Sequence, residues 1–314
     1  MLGNSSCNVH VSENPVVHQS LQGMAFGVFS AQILIGSIAN FVVIATIFVS
    51  RELRQRSEHR LILNLAIVDF FSLAAVLPWH IYILRLQQID QNAHSFIGYL
   101  ASKAFVVTAA INTVLCLAID RFIAVVYPFQ HLEIINTRSM TVLSWGSGVP
   151  VSIIVSLSCK FALQEYIDVF FVLYGVLCLT LTAFMYAVIF YCTFKQGRRI
   201  LNQRRSVGAA RVKFSSHLLM KITLRTFILV CLFYATYLPV VVYVAYSICV
   251  LGPGWVEPSK ERIWFYSFFF INSFINPFVY ALRSKRLRKE FQKKIWSRVF
   301  HRTAQETSGH HLSH

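Results

Sequence analysis

The chain has 314 residues, of which 56% are hydrophobic and only 13% charged, about half the charged share of an ordinary soluble domain. So little polar surface cannot cover a water-soluble fold of this size, and disorder is excluded by the same abundance of apolar side chains. The net charge of +16 sits in short blocks between apolar runs rather than along one face, which excludes nucleic acid as the partner.

Residues 1–23 contain no Lys or Arg and one glycosylation acceptor, Asn4-Ser5-Ser6. They lack the basic and apolar regions of a cleaved signal peptide. Seven stretches follow that are long enough to cross a bilayer as helices: Met24–Ser50, Leu61–Leu84, Phe96–Tyr127, Met140–Cys159, Asp168–Phe194, Leu219–Ile248 and Trp264–Leu282. Helix is required because an unpaired backbone group in hydrocarbon costs several kcal/mol. Lys and Arg set the orientation. All 29 basic residues except Arg85, Lys103, Lys160, Lys260 and Arg262 fall on one side, at Arg51–Arg60, at Arg121 and Arg138, between spans five and six, and in the tail. That side is the cytoplasm, and an odd number of spans then places the N-terminus outside. After Leu282, Leu287, Phe291, Ile295 and Val299 recur every four residues among Lys and Arg, the pattern of an amphipathic helix on the inner leaflet. The predicted organisation is an all-α membrane protein. Residues 1–23 form an extracellular N-terminus, 24–283 a seven-transmembrane helix bundle, 284–300 the amphipathic membrane-surface helix and 301–314 a cytoplasmic tail.

The 7 cysteines include no C-x-x-C pair, and several lie within apolar runs, where they read as small buried hydrophobes rather than metal ligands. No His–carboxylate pair or phosphate loop lies in the spans, so an enzyme is not expected. Polar residues inside spans are costly and point to function. Here they are Asn40, Asp69, Asp120 with Arg121, Trp145, Tyr186, Tyr237 before Pro239, and the run Asn272-Ser273-Phe274-Ile275-Asn276-Pro277-Phe278-Val279-Tyr280. Pro239 and Pro277 break hydrogen-bond ladders and make kinks about which spans six and seven can move. Internal repeats are absent, and only Asp69 and Lys103 are charges deep in the bilayer, too few to line a channel or transporter.

This ordered set, one or more residues per span, resembles the rhodopsin-like (class A) G-protein-coupled receptors over nearly the whole chain. The resemblance implies a receptor that converts binding of an extracellular ligand into activation of a heterotrimeric G protein, with arrestin as a further cytoplasmic partner. It implies that Asp120, Arg121, Tyr186, Asn276, Pro277 and Tyr280 form the coupling switch, and that Ile111, Phe233 and Pro239 form the hinge. It further implies that Asp69, Asn272, Ser273 and Asn276 hold an allosteric sodium ion, the only cofactor-like group expected. Asp69 is otherwise a protonated structural residue, and Ala110 stands where the family usually carries a sodium-binding Ser. The acid that family members carry at the foot of span six is replaced by Leu219, Met220 and Lys221, which predicts a loosely held resting state and measurable basal signalling.

The ligand is expected between spans three, five, six and seven, against Trp79, Lys103, Tyr237, Tyr266 and Phe270. Lys103 lies where amine receptors carry Asp, so it repels protonated amines and favours a small anionic or lipid-like ligand; the alternatives are a snorkelling Lys103 and a peptide ligand. Phe270 occupies the retinal-linking position, which argues against opsin chemistry. Phe96 replaces the family's span-three cysteine. Cys7, Cys159 and Cys249 remain near the outer face and any two could pair. The melanocortin receptors, which this chain resembles in its short second outer loop, make Cys7–Cys249 the first guess.

Overall fold

The computed structural model describes residues 15–85, 94–131, 136–160, 164–203, 209–251 and 260–293. Among these residues all regular structure is helical. Helix α1 runs through Pro15–Ala31, one wide i→i+5 turn at Gln32–Gly36 and Ser37–Val49. Helix α2 is Ser57–Phe71, a second wide turn at Ser72–Val76 and Leu77–Arg85. Helix α3 is His94–Val126. Helix α4 comprises Thr137–Gly146 and Gly148–Lys160. Then come α5 (Gln164–Gln203), α6 (Ala209–Leu251), α7 (Lys260–Arg283) and the short α8 (Lys285–Phe291).

Six stretches are long and apolar enough to span a membrane, from Gly23–Val49 to Val230–Val250, and the described apolar part of α7 is Ser267–Leu282. Two boundaries differ from the sequence reading. Helix α1 begins at Pro15 rather than near Met24, since polar residues outside the apolar run are still good enough helix formers. Helices α5 and α6 have 40 and 43 residues, where about 20 cross a bilayer. Much of the basic segment expected as a loop is therefore helical, because Lys, Arg, Leu and Gln dominate it and it contains no Pro.

Helix α3 sits at the centre, against α2, α4, α5 and α6, and α7 closes the ring against α1, α2 and α6. Large apolar side chains such as Phe41 and Phe48 on α1, Val142 and Ile153 on α4, and Leu173 and Phe184 on α5 face outward, where only lipid can receive them. Between helices, polar side chains act as ties. Asn64 on α2 donates to Thr113 Oγ1 of α3 (2.9 Å) and Ser144 Oγ of α4 (2.8 Å), and accepts from Trp145 Nε1. At the basic end Ser284 stops α7, its hydroxyl capping α8 through Leu287 N at 3.1 Å. Ser50 Oγ donates to Glu290 Oε2 at 2.6 Å, fastening α8 to the end of α1. Leu287, expected on a lipid-facing stripe, is instead buried against the bundle.

Gly36 lets α1 approach α2 and α7 closely. A Cβ there would meet Leu73 Cδ1 at 2.5 Å and Phe274 Cδ2 at 3.1 Å, whereas one at Gly27 would meet nothing within 4 Å. Gly36→Val should therefore cost about 1–3 kcal/mol by overpacking. The expected result is a lower melting midpoint of the detergent-purified chain and less of it at the cell surface, with Gly27→Val unchanged in both.

Candidate functional site

Three clusters lie along the bundle axis. In the middle, Pro277 has no N–H to offer the carbonyl of Ser273 one turn earlier. Asn40 fills the gap, its Nδ2 donating to Ser273 O and to Gly36 O, both at 3.0 Å. Asn276 Nδ2 donates to Asp69 Oδ2 at 2.9 Å. Asp69 is fully buried, the Ser273 side chain lies beside it, and its Oδ1 has no hydrogen-bond partner among the described residues. An orphaned carboxylate oxygen beside a hydroxyl fits a monovalent cation, although Ala110 offers it nothing.

Toward the basic end a cavity of about 10 Å³, room for roughly one water, is lined by Tyr186, Phe233, Asn272 and Asn276 with Leu65 and Val230. Beyond it lies Arg121, its side chain only 12% exposed. Its Nη2 is 2.7 Å from Asp120 Oδ2, an ion pair without hydrogen-bond alignment, and 3.4 Å from Glu58 Oε2 of α2; its Nε is buried without a partner among the described residues. The other oxygen of the fully buried Asp120 meets His131 Nε2 at 3.2 Å. Tyr280 and Tyr186 are both buried in the core.

At the opposite end a cavity of about 140 Å³ opens between α3, α4, α5, α6 and α7. Among the described residues Lys103 is its one ionisable cation and Tyr237 its one hydroxyl; Leu100, Val107, Ile111, Phe171, Val244 and Phe269 give most of the rest an apolar surface. Phe233 stacks on Tyr237 with ring centroids 4.3 Å apart, and Tyr237 packs on Phe269 at 5.6 Å. One aromatic column thus joins this cavity to the small one, through α6 one turn before Pro239, which lies inside a continuous helix.

Of the expected ligand residues, Lys103 and Tyr237 line the cavity, together with Ile111 at its floor. Trp79 and Phe270 do not. Trp79 packs on Tyr99 and donates to Ser95 Oγ at 3.4 Å. Phe270 is fully buried against His80, which also meets Phe29 and pairs its Nδ1 with the Tyr99 hydroxyl at 2.7 Å. The side chain of Tyr266, together with Asn4 and Cys7, lies outside the described residues; Cys249 is an exposed free thiol. Sequence reasoning missed Phe269, Glu58 and His131. Glu58 left one signal, an acid in the first turn of α2 beside an Arg-rich loop.

The family model of the seven-transmembrane receptors of the rhodopsin family matches residues 39–280. The chain belongs to that family. Among its relatives, galanin receptor 2b of Danio rerio is 25% identical over 299 residues, covering 86% of this chain and 74% of the relative. Cannabinoid receptor 2 of Homo sapiens is 25% identical over 273 residues, 81% of this chain and 73% of the relative. Prokineticin receptor 2 of Rattus norvegicus is 28% identical over 139 residues, 40% and 36%. This is a multi-pass membrane receptor of the rhodopsin family, and its relatives are receptors rather than enzymes.

Proposed function

We propose that this receptor sits in the plasma membrane with its N-terminus outside and converts binding of an anionic, lipid-like molecule into heterotrimeric G-protein activation. The observation that carries the reading is the column Phe269–Tyr237–Phe233. It links the Lys103 cavity to the cluster of Tyr186, Asn272 and Asn276 that leads to Arg121. A ligand that repacks Tyr237 disturbs a ring stack on α6 one turn from a proline, where the helix lacks a hydrogen bond and bends cheaply. Movement of α6 then exposes the end of α3, where Arg121 offers its donors to the G protein; arrestin would use the same face. Asp69 and Ser273 would hold a sodium ion, which supplies counter-charge for the buried carboxylate and favours the resting packing of α7.

The ligand class follows from chemistry. Lys103 puts a positive charge on the wall of this cavity, which favours an anionic headgroup, and the apolar side chains around it suit a hydrocarbon chain. The relatives named for galanin and prokineticin favour a peptide as the second reading. Both are tested by placing the full chain in nanodiscs with each G-protein class and measuring nucleotide exchange. Long-chain carboxylates, their neutral amides and cell-secreted peptide fractions are the probes. Exchange driven by the carboxylates and not by the amides is expected; exchange driven only by peptides would replace the ligand assignment, and none with any probe or class would sink the coupling role.

A further inference from the structure

Resting on that receptor reading, we propose that Glu58 is the positioning residue that restrains Arg121 in the inactive state, doing from α2 what no residue of α6 can do. Helix α6 contains no acidic residue from Ala209 to Leu251, and in α5 the two acids, Glu165 and Asp168, lie at the end remote from Arg121. The guanidinium therefore has no carboxylate to meet on α5 or α6. Among the described residues two other acids reach it. Asp120 precedes it on the same helix and travels with it, so that pair sets the rotamer of Arg121 without tying α3 to anything. Glu58, in the first turn of α2, makes the contact between helices, at 3.4 Å from Nη2. The first turn also suits a carboxylate, because the helix N-terminus carries partial positive charge.

The remaining geometry suits a restraint that yields. Glu58 is 37% exposed, its distance to Arg121 is long for an ion pair, and the Asp120 pair is not aligned as a hydrogen bond. Asp120 meanwhile divides its oxygens between Arg121 and His131 of the segment after α3. When Arg121 swings toward a G protein it gives up the Glu58 contact, and Asp120 keeps His131. The carboxylate that must remain buried keeps a partner, and the one released is half in water, where solvation replaces the lost pair.

The test is basal nucleotide exchange by the full chain, normalised to surface receptor, for Glu58→Gln, Glu58→Asp and Asp120→Asn, each with and without Arg121→Ala. Exposed ion pairs of this kind correspond to about a two- to fivefold change in population. Glu58→Gln should raise basal exchange by that factor, Glu58→Asp should stay near the parent, and Arg121→Ala should remove the increase. No rise in Glu58→Gln, whether or not Asp120→Asn rises, overturns the proposal. Should Glu58→Asp rise as far as Glu58→Gln, side-chain packing rather than charge is responsible, and the proposal also fails. An increase that survives Arg121→Ala would instead count against the receptor reading beneath it.

Discussion

Replacing Arg121 by alanine should silence the receptor. Nucleotide exchange falls by about 10- to 100-fold, because hydrogen bonds to a charged group are worth about 1.5–3 kcal/mol and this guanidinium would supply them to the G protein. The loss should appear in the maximal response and not in ligand affinity, since the proposed ligand cavity lies at the opposite end of the aromatic column. Folding should survive, for two reasons. The Glu58 carboxylate left behind is 37% exposed and can be solvated, and the buried Asp120 retains His131 at 3.2 Å after the guanidinium is gone. Arg121→Lys keeps the charge and loses the planar fork, so it should recover only part of the response. The measurement is G-protein activation at matched surface level. A maximal response in Arg121→Ala equal to that of the parent chain would remove Arg121 from the coupling surface.

How far such a site can be read from sequence depends on whether its contacts lie along one helix or between helices. Seven apolar spans were legible because lipid imposes length and composition on each of them separately. The junction of α1 with α7 was legible in part: Asn40 and Pro277 both stood out as polar or helix-breaking residues inside spans. That Asn40 donates to the carbonyl left over by Pro277 required the packed bundle. Rotation about a helix axis was the hardest quantity. Neighbouring residues on a helix point about 100° apart, so Phe269 lines the Lys103 cavity while Phe270, expected there, turns toward His80. The contact of Glu58 with Arg121 was illegible for another reason. The two are far apart in the chain and meet only because α2 packs on α3 with its first turn level with the end of α3. The expectation of a loosely held resting state came from inspecting α6 alone, and a carboxylate on a different helix gives the guanidinium another partner.

On the proposed reading Lys103 selects an anionic ligand, and changing it should have the largest effect on recognition. Among the described residues the cavity lining contains no carboxylate, and its other side chains are apolar except for Tyr237. An anionic headgroup entering it loses water, and the Lys103 ammonium offsets that cost. Removing one partner of a pair in such surroundings costs about 3–5 kcal/mol, so Lys103→Met should weaken activation by a long-chain carboxylate by about 100-fold or more in potency. Methionine keeps nearly the length and apolar stem of the side chain, so surface expression and basal exchange should stay at the parent level. The charge reversal Lys103→Glu makes a sharper comparison. It should abolish the response to the carboxylate and create one to an alkyl amine of the same chain length, because the apolar walls that hold the tail are untouched. Equal potency of the carboxylate on the parent chain and on Lys103→Met would mean that the ammonium reaches past the cavity to the interface, and the ligand would then be sought among neutral lipids and peptides.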